Sequence, residues 1–91
     1  MEFEHIILKP ISLQILEYMA DQEPQQSDEI ANAIGLTKRQ VDAAVTKSLV
    51  RYGFCVREAK LTRLMKKEYN LIRITEKGKR YVSWKAKQEG K

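Results

Sequence analysis

Apolar positions recur along the first half of the chain with a helical period. After Pro10, the residues Ile11, Ile15, Leu16, Met19 and Ala20 follow the i, i+4, i+5, i+8, i+9 spacing of an amphipathic helix. The polar stretch Gln22 to Gln26 ends it. Ser27, followed by Asp28 and Glu29, reads as an N-cap with acids in the first turn, where the helix dipole favours negative charge. Ile30, Ala31 and Ile34 make one apolar stripe on this short second helix, and Gly35 supplies the left-handed residue that closes it. Thr37-Lys38-Arg39-Gln40 then fits a capping box, the Thr hydroxyl taking the Gln40 amide while the Gln side chain reaches back. From Thr37 to Tyr52 the wheel separates cleanly. Val41, Ala44, Val45, Ser48, Leu49 and Tyr52 cluster on one side; Arg39, Asp42, Ala43, Thr46 and Val50 lie opposite, flanked by Gln40, Lys47 and Arg51. Gly53 ends this third helix.

The period then changes to two. Residues 54–58 and 69–74 are rich in β-branched and aromatic side chains and predict two strands. The connection between them, Ala59 to Glu68, carries Lys60, Arg63, Lys66 and Lys67. Thr75 can cap a last helix running through Tyr81, Val82 and Trp84, before a frayed tail over 88–91. The predicted order is α-α-α-β-β-α, an α+β domain.

Length and charge sharpen this outline. Ninety-one residues make one small domain and exclude a second, catalytic one. No apolar run exceeds three residues, as in Ile6-Ile7-Leu8, far below the roughly 20 that span a bilayer, so no membrane partner is expected. The acidic start Met1-Glu2-Phe3-Glu4 is unlike a secretory signal and Cys55 is the single cysteine, which together predict a cytoplasmic address. The net charge of +5 is unevenly distributed: residues 1–37 hold one base and seven acids, residues 38–91 sixteen bases and five acids. A basic half of this kind is attracted to polyanions, nucleic acid first among them.

Catalytic chemistry finds no footing. His5 is the one histidine and lies near a chain end, where it reads as a surface residue. Cys55 falls in an apolar strand and reads as a small buried hydrophobe, not a redox sensor. One His and one Cys cannot complete a four-ligand zinc site, and the isolated glycines Gly35, Gly53, Gly78 and Gly90 have no phosphate-cradling spacing. No enzyme, metal or cofactor is implied.

The unit Ser27 to Tyr52 is a short helix, a Gly35-Leu36-Thr37 turn and a longer capped helix with small and basic residues outside, the construction of a helix-turn-helix. With the stretches SDEIANAIGLTKRQVDAAV, LVRYGFCVRE and IRITEKGKRYV, the chain resembles the winged-helix family of DNA-binding proteins, most like small prokaryotic regulators of the MarR, PadR and ArsR type, over roughly residues 11 to 82. The resemblance implies a three-helix core with a two-stranded wing and a C-terminal helix, occupying 11–87. It further implies sequence-specific binding of double-stranded DNA by a transcriptional regulator, with a recognition helix over 37–52 in the major groove. Thr37, Lys38, Arg39, Gln40, Ala43, Thr46 and Lys47 would then face DNA, Arg39 and Gln40 at base edges and Thr37, Lys38 and Lys47 at phosphates. The wing over 54–74 would place Arg57, Lys60, Arg63, Lys66 and Lys67 on the flanking backbone. Asp42, on the same outer face as Arg39, must pair with a neighbouring base or repel phosphate.

Two features depart from that pattern or extend beyond it. The wing connection has no Gly or Pro between Gly53 and Gly78 and contains Leu61, Leu64 and Met65, which pack back, enter a groove or meet a partner chain; packing back is the reading preferred. Residues 1–10, with Phe3, Ile6, Ile7 and Leu8, read as a segment docked on the body or on a second protomer. The resemblance implies a homodimer through this segment and the C-terminal helix. Tyr81 and Trp84 read as a packing face, with single-strand stacking as the alternative. The rival to DNA binding is a winged-helix protein interaction module within a larger complex, using the apolar wing residues and the acidic first half.

Overall fold

A computed structural model describes residues 3–61 and 68–89. Its elements are α1 (Pro10–Met19), α2 (Ser27–Ile34), α3 (Lys38–Ala44) continued by a π-helical segment (Val45–Leu49), β1 (Cys55–Leu61), β2 (Glu68–Ile74) and α4 (Glu76–Glu89). The order is the expected one, and the three N-terminal helices enclose a core that the sheet and α4 close from the side.

Each helix begins and ends for a local reason. Pro10 opens α1 at a position whose N–H has no partner in the helix, with its φ already helical. The start of α2 differs from expectation by one residue. Gln26 is the N-cap, its backbone N–H donating to Glu29 Oε1 at 2.9 Å, while Ser27 is the first helical residue and is buried. The capping box therefore runs from Gln26 to Glu29, and the Ser27 hydroxyl has another partner. Gly35 closes α2 at φ +75°, a conformation that only glycine adopts without strain, and turns the chain into Thr37. At α3 the expected box is present: Thr37 Oγ1 accepts the Gln40 N–H at 3.1 Å, and Gln40 Oε1 accepts the Thr37 N–H at 2.9 Å.

The sequence predicts a third helix that is α-helical to Tyr52. It widens instead at Val45, with the Val50 N–H reaching back five residues to the Val45 carbonyl at 2.8 Å and Phe54 N–H to the Leu49 carbonyl at 2.8 Å. The cause lies in its buried stripe. Val41, Val45 and Leu49 are spaced by four, which in an α-helix advances about 40° per step around the axis. A wider turn keeps all three pointing into the core, and each has no exposed surface.

β1 and β2 pair antiparallel in the register Cys55↔Ile74, Arg57↔Ile72, Ala59↔Asn70 and Leu61↔Glu68. β1 runs three residues past the predicted strand end, because continued pairing satisfies backbone groups that a loop would leave to water. Glu58 and Arg73 make a diagonal cross-strand ion pair at 2.6 Å. On its other side β2 receives a single-residue bridge that sequence reading did not anticipate: Gln25, in the α1–α2 loop, exchanges both backbone hydrogen bonds with Ile72. Thr75 caps α4, accepting from the Gly78 N–H at 3.1 Å and donating to the Gly53 carbonyl at 2.6 Å. α4 continues to Glu89, two residues into the stretch read as a tail.

The core is formed by Ile15, Leu16 and Met19 of α1, Ile30 and Ala31 of α2, the stripe of the third helix, and Phe54, Cys55, Ile72, Ile74 and Tyr81. Phe3 joins it. Its ring lies 5.3 Å from Tyr81 and 5.8 Å from Trp84, and Phe54 stacks on Tyr81 at 4.7 Å. The N-terminal segment thus docks on its own domain through this aromatic cluster, and leaves Ile7 exposed. Tyr81 is 2% exposed, which removes it as a stacking platform for single-stranded nucleic acid.

Candidate nucleic-acid interface

Burying Val41, Val45 and Leu49 turns the opposite side of the third helix to solvent. Lys38, Arg39, Ala43, Thr46 and Lys47 are exposed there, and with Asp42 they line one open groove of about 640 Å³. Two lysines and an arginine around the methyl of an alanine and a hydroxyl make a surface that suits phosphates at its rim and base edges at its centre. Five of the expected contact residues are brought together here.

Thr37 and Gln40 are placed differently. Both side chains take part in the capping box, Thr37 Oγ1 and Gln40 Oε1 each accepting a backbone N–H. Gln40 Oε1 thus uses one of its two lone pairs on the helix start, and its second lone pair and Nε2 donors remain for a ligand. It also faces another way, lining a second groove of about 580 Å³ with Lys9, Pro10, Ile11 and Ser12 of α1. Ala43 and Lys47 form the ridge between the two grooves.

The acid on this face is accounted for. Asp42 accepts a hydrogen bond from the Ser27 hydroxyl and pairs with Arg57 of β1 at 3.5 Å. Arg57 Nη2 also donates to Thr46 Oγ1 at 3.0 Å and lies 3.4 Å from the Asp42 carbonyl. Sequence reading missed Ser27 as part of the site, having assigned its hydroxyl to a helix cap. A third, polar groove of about 350 Å³ opens beside this group, lined by Gln26, Ser27, Asp28, Lys38, Asp42, Arg57 and Asn70.

Of the expected wing cations, Arg57 is therefore engaged with the third helix, and Lys60 lies on β1. Arg63, Lys66 and Lys67 lie outside the described residues, as do Leu64 and Met65. Cys55 is fully buried, and burial pushes its thiol pKa up to about 12, so it is protonated and inert near neutrality. Among the described residues no cluster of His, Cys, Asp and Glu could hold a metal, and no helix is long and apolar enough to cross a membrane. Among them, too, Ile7 and Val50 are the large hydrophobics left exposed, one before α1 and the other in the turn after the π-helical segment.

The same architecture occurs in solved structures. The structure of a point mutant of Lactococcus lactis ZitR superposes with a TM-score of 0.71 at 18% identity, over 96% of this chain and 56% of that one. S. aureus MepR, solved in complex with DNA, gives 0.74 at 17% identity, over 94% of this chain and 68% of that one. A MarR family regulator from Neisseria meningitidis gives 0.65 at 19% identity, over 91% and 56%. The fold is a winged helix-turn-helix. In it α2 and the third helix form the helix-turn-helix, and β1 and β2 the wing. This chain spans a little over half the length of ZitR and of the Neisseria regulator. No family model matches the sequence, and no curated protein is significantly similar to it in sequence.

Proposed function

We propose that this winged-helix protein binds double-stranded DNA in a sequence-specific manner and regulates transcription in the cytoplasm, without enzymatic activity. The observation that carries this reading is the outer groove of the third helix. Lys38, Arg39, Ala43, Thr46 and Lys47 stand exposed along one helix face that a buried stripe holds rigidly outward. That the fold is shared with MepR, which was solved with DNA, supports it. So does the concentration of sixteen of the seventeen Lys and Arg residues from position 38 onward. Lys and Arg contacts to phosphate supply affinity; Arg39, aimed into the groove, reads base edges. The wing cations Lys60, Arg63, Lys66 and Lys67 act on the flanking backbone. A homodimer on a palindromic site belongs to the same reading.

Fluorescence anisotropy with labelled duplexes over a salt series tests it. Log K should fall with log salt at about 0.9 per phosphate contact, and duplex should bind more tightly than the matched single strand. On a duplex selected from a random library, Arg39→Ala should cost on the order of 1 to 3 kcal/mol and flatten base preference, whereas Lys66→Ala should weaken all duplexes alike. Absence of duplex binding at low salt refutes the reading and turns the search to a protein partner.

A further inference from the structure

Three elements meet around the Arg57–Asp42 pair. Arg57 of β1 reaches across to the third helix, where Nη2 lies 3.0 Å from Thr46 Oγ1, 3.4 Å from the Asp42 carbonyl and 3.5 Å from Asp42 Oδ1. The same carboxylate accepts from Ser27, the first residue of α2. The Arg57 side chain is only 29% exposed, unlike the cations that line the outer groove.

The donor and acceptor pattern of this group has a direction. A guanidinium only donates, so Thr46 Oγ1 is the acceptor in its bond with Arg57. The hydroxyl's own proton is then left to be donated, and Thr46 is exposed at the groove that faces DNA in the proposed function. Asp42 would by itself repel phosphate from the middle of that groove; with Arg57 beside it the local charge is offset.

We propose that Arg57 is a positioning residue for DNA recognition, acting through Asp42 and Thr46: it holds the wing strand to the recognition helix, offsets the Asp42 charge and turns the Thr46 hydroxyl into a donor toward the DNA. The inference rests on the DNA-binding reading and deepens it. In this reading Arg57 acts on the protein and not on phosphate.

The test uses the full chain and its Arg57→Ala, Thr46→Val and doubly substituted variants. Each is checked for folding by circular dichroism and urea unfolding, then titrated against a library-selected duplex and a random duplex over a salt series. Wild type must bind both with salt dependence; if it binds neither, the DNA-binding reading falls and this inference with it. Given that binding, Arg57→Ala should lose about tenfold or more on the selected duplex and much less on the random one. Its salt slope should remain within about half a unit of wild type, since no phosphate contact is removed. Thr46→Val should show the same selective loss, and the double variant should lose no more than the larger single loss, because the two side chains act as one unit. A slope reduced by about 0.9 with equal losses on both duplexes would make Arg57 a phosphate contact and overturn the inference. Additive losses in the double variant overturn it as well. Should Arg57→Ala fail to fold, Thr46→Val alone decides, and normal binding of the selected duplex by that variant refutes the proposal.

Discussion

Gly78 sits inside α4, where alanine would ordinarily be the better helix former by about 1 kcal/mol. The packing reverses that preference. A Cβ on Gly78 would stand 2.3 Å from the Phe54 carbonyl oxygen, 3.1 Å from its carbon and 2.8 Å from Ile74 Cγ1. That carbonyl is not at liberty to move, because it accepts the Thr75 N–H at 2.8 Å while the preceding Gly53 carbonyl accepts the Thr75 hydroxyl at 2.6 Å. Relieving the overlap must push α4 away from the 53–54 backbone. Overpacking of this kind costs about 1 to 3 kcal/mol. Stretching the Thr75 contacts adds about 1 kcal/mol for the backbone bond and a similar amount for the cap. Set against the gain in helix propensity, Gly78→Ala should destabilise the domain by about 2 to 4 kcal/mol. For a domain of this size that lowers the melting temperature by on the order of 10 to 20 °C. Urea unfolding followed by circular dichroism measures it, with an unchanged denaturant slope showing that the two end states are the same. Ser83→Ala, at an exposed position on the same helix, is the control and should stay within about 0.5 kcal/mol of wild type. A Gly78→Ala protein as stable as wild type, or more so, would refute the close approach of α4 to the start of the wing.

Two further predictions concern single positions. At Gly35 a Cβ meets nothing within 4 Å, so any cost of Gly35→Ala comes from the backbone at φ +75°: about 1 kcal/mol in a urea melt, largely recovered in Gly35→Asn. Equal stability of the alanine variant and wild type would mean that the turn tolerates an L side chain. The Cys55 thiol, pushed from 9.0 up to about 12 by burial, keeps its proton in the folded state where the unfolded chain has lost it. Its contribution to stability is therefore intact below about pH 9 and falls between pH 9 and 12 at about 1.4 kcal/mol per pH unit. Urea melts of wild type and Cys55→Ala across that range should differ in slope by this amount. Parallel curves would remove the burial effect.

The fold was legible where chemistry is local. The spacing of Val41, Val45 and Leu49, the Thr37–Gln40 box, Gly35 and Thr75 all act within a few residues of themselves, and each is found in the role its neighbours dictate. The departures are tertiary. Nothing in Glu23-Pro24-Gln25-Gln26 announces that Gln25 will bridge to Ile72, because the pairing depends on a strand far along the chain. The π-helical segment was hidden for another reason. A spacing of four suits both an α-helix and a wider turn, and only the requirement that three residues reach one core selects the second.

The interface divides along the same line. That Arg39, Ala43, Thr46 and Lys47 face outward follows from the wheel alone. What those side chains can offer does not. Gln40 looks like a base reader in sequence, and in the structure its oxygen also serves the cap that starts the helix, so pairing with adenine would draw on its second lone pair. Ser27 looks like a cap, yet Gln26 and Glu29 perform that role, and its hydroxyl instead meets Asp42. Asp42 and Ser27 are fifteen residues apart, as are Asp42 and Arg57. The link from α2 through the third helix to the wing therefore exists only once the three elements are packed. A helix-turn-helix carrying the same outer residues without Ser27, Asp42 and Arg57 would keep the outward cations and the salt-dependent affinity proposed for them. It would lose the Ser27–Asp42–Arg57 contacts that tie α2, the third helix and β1 together, the link on which the proposed selectivity rests.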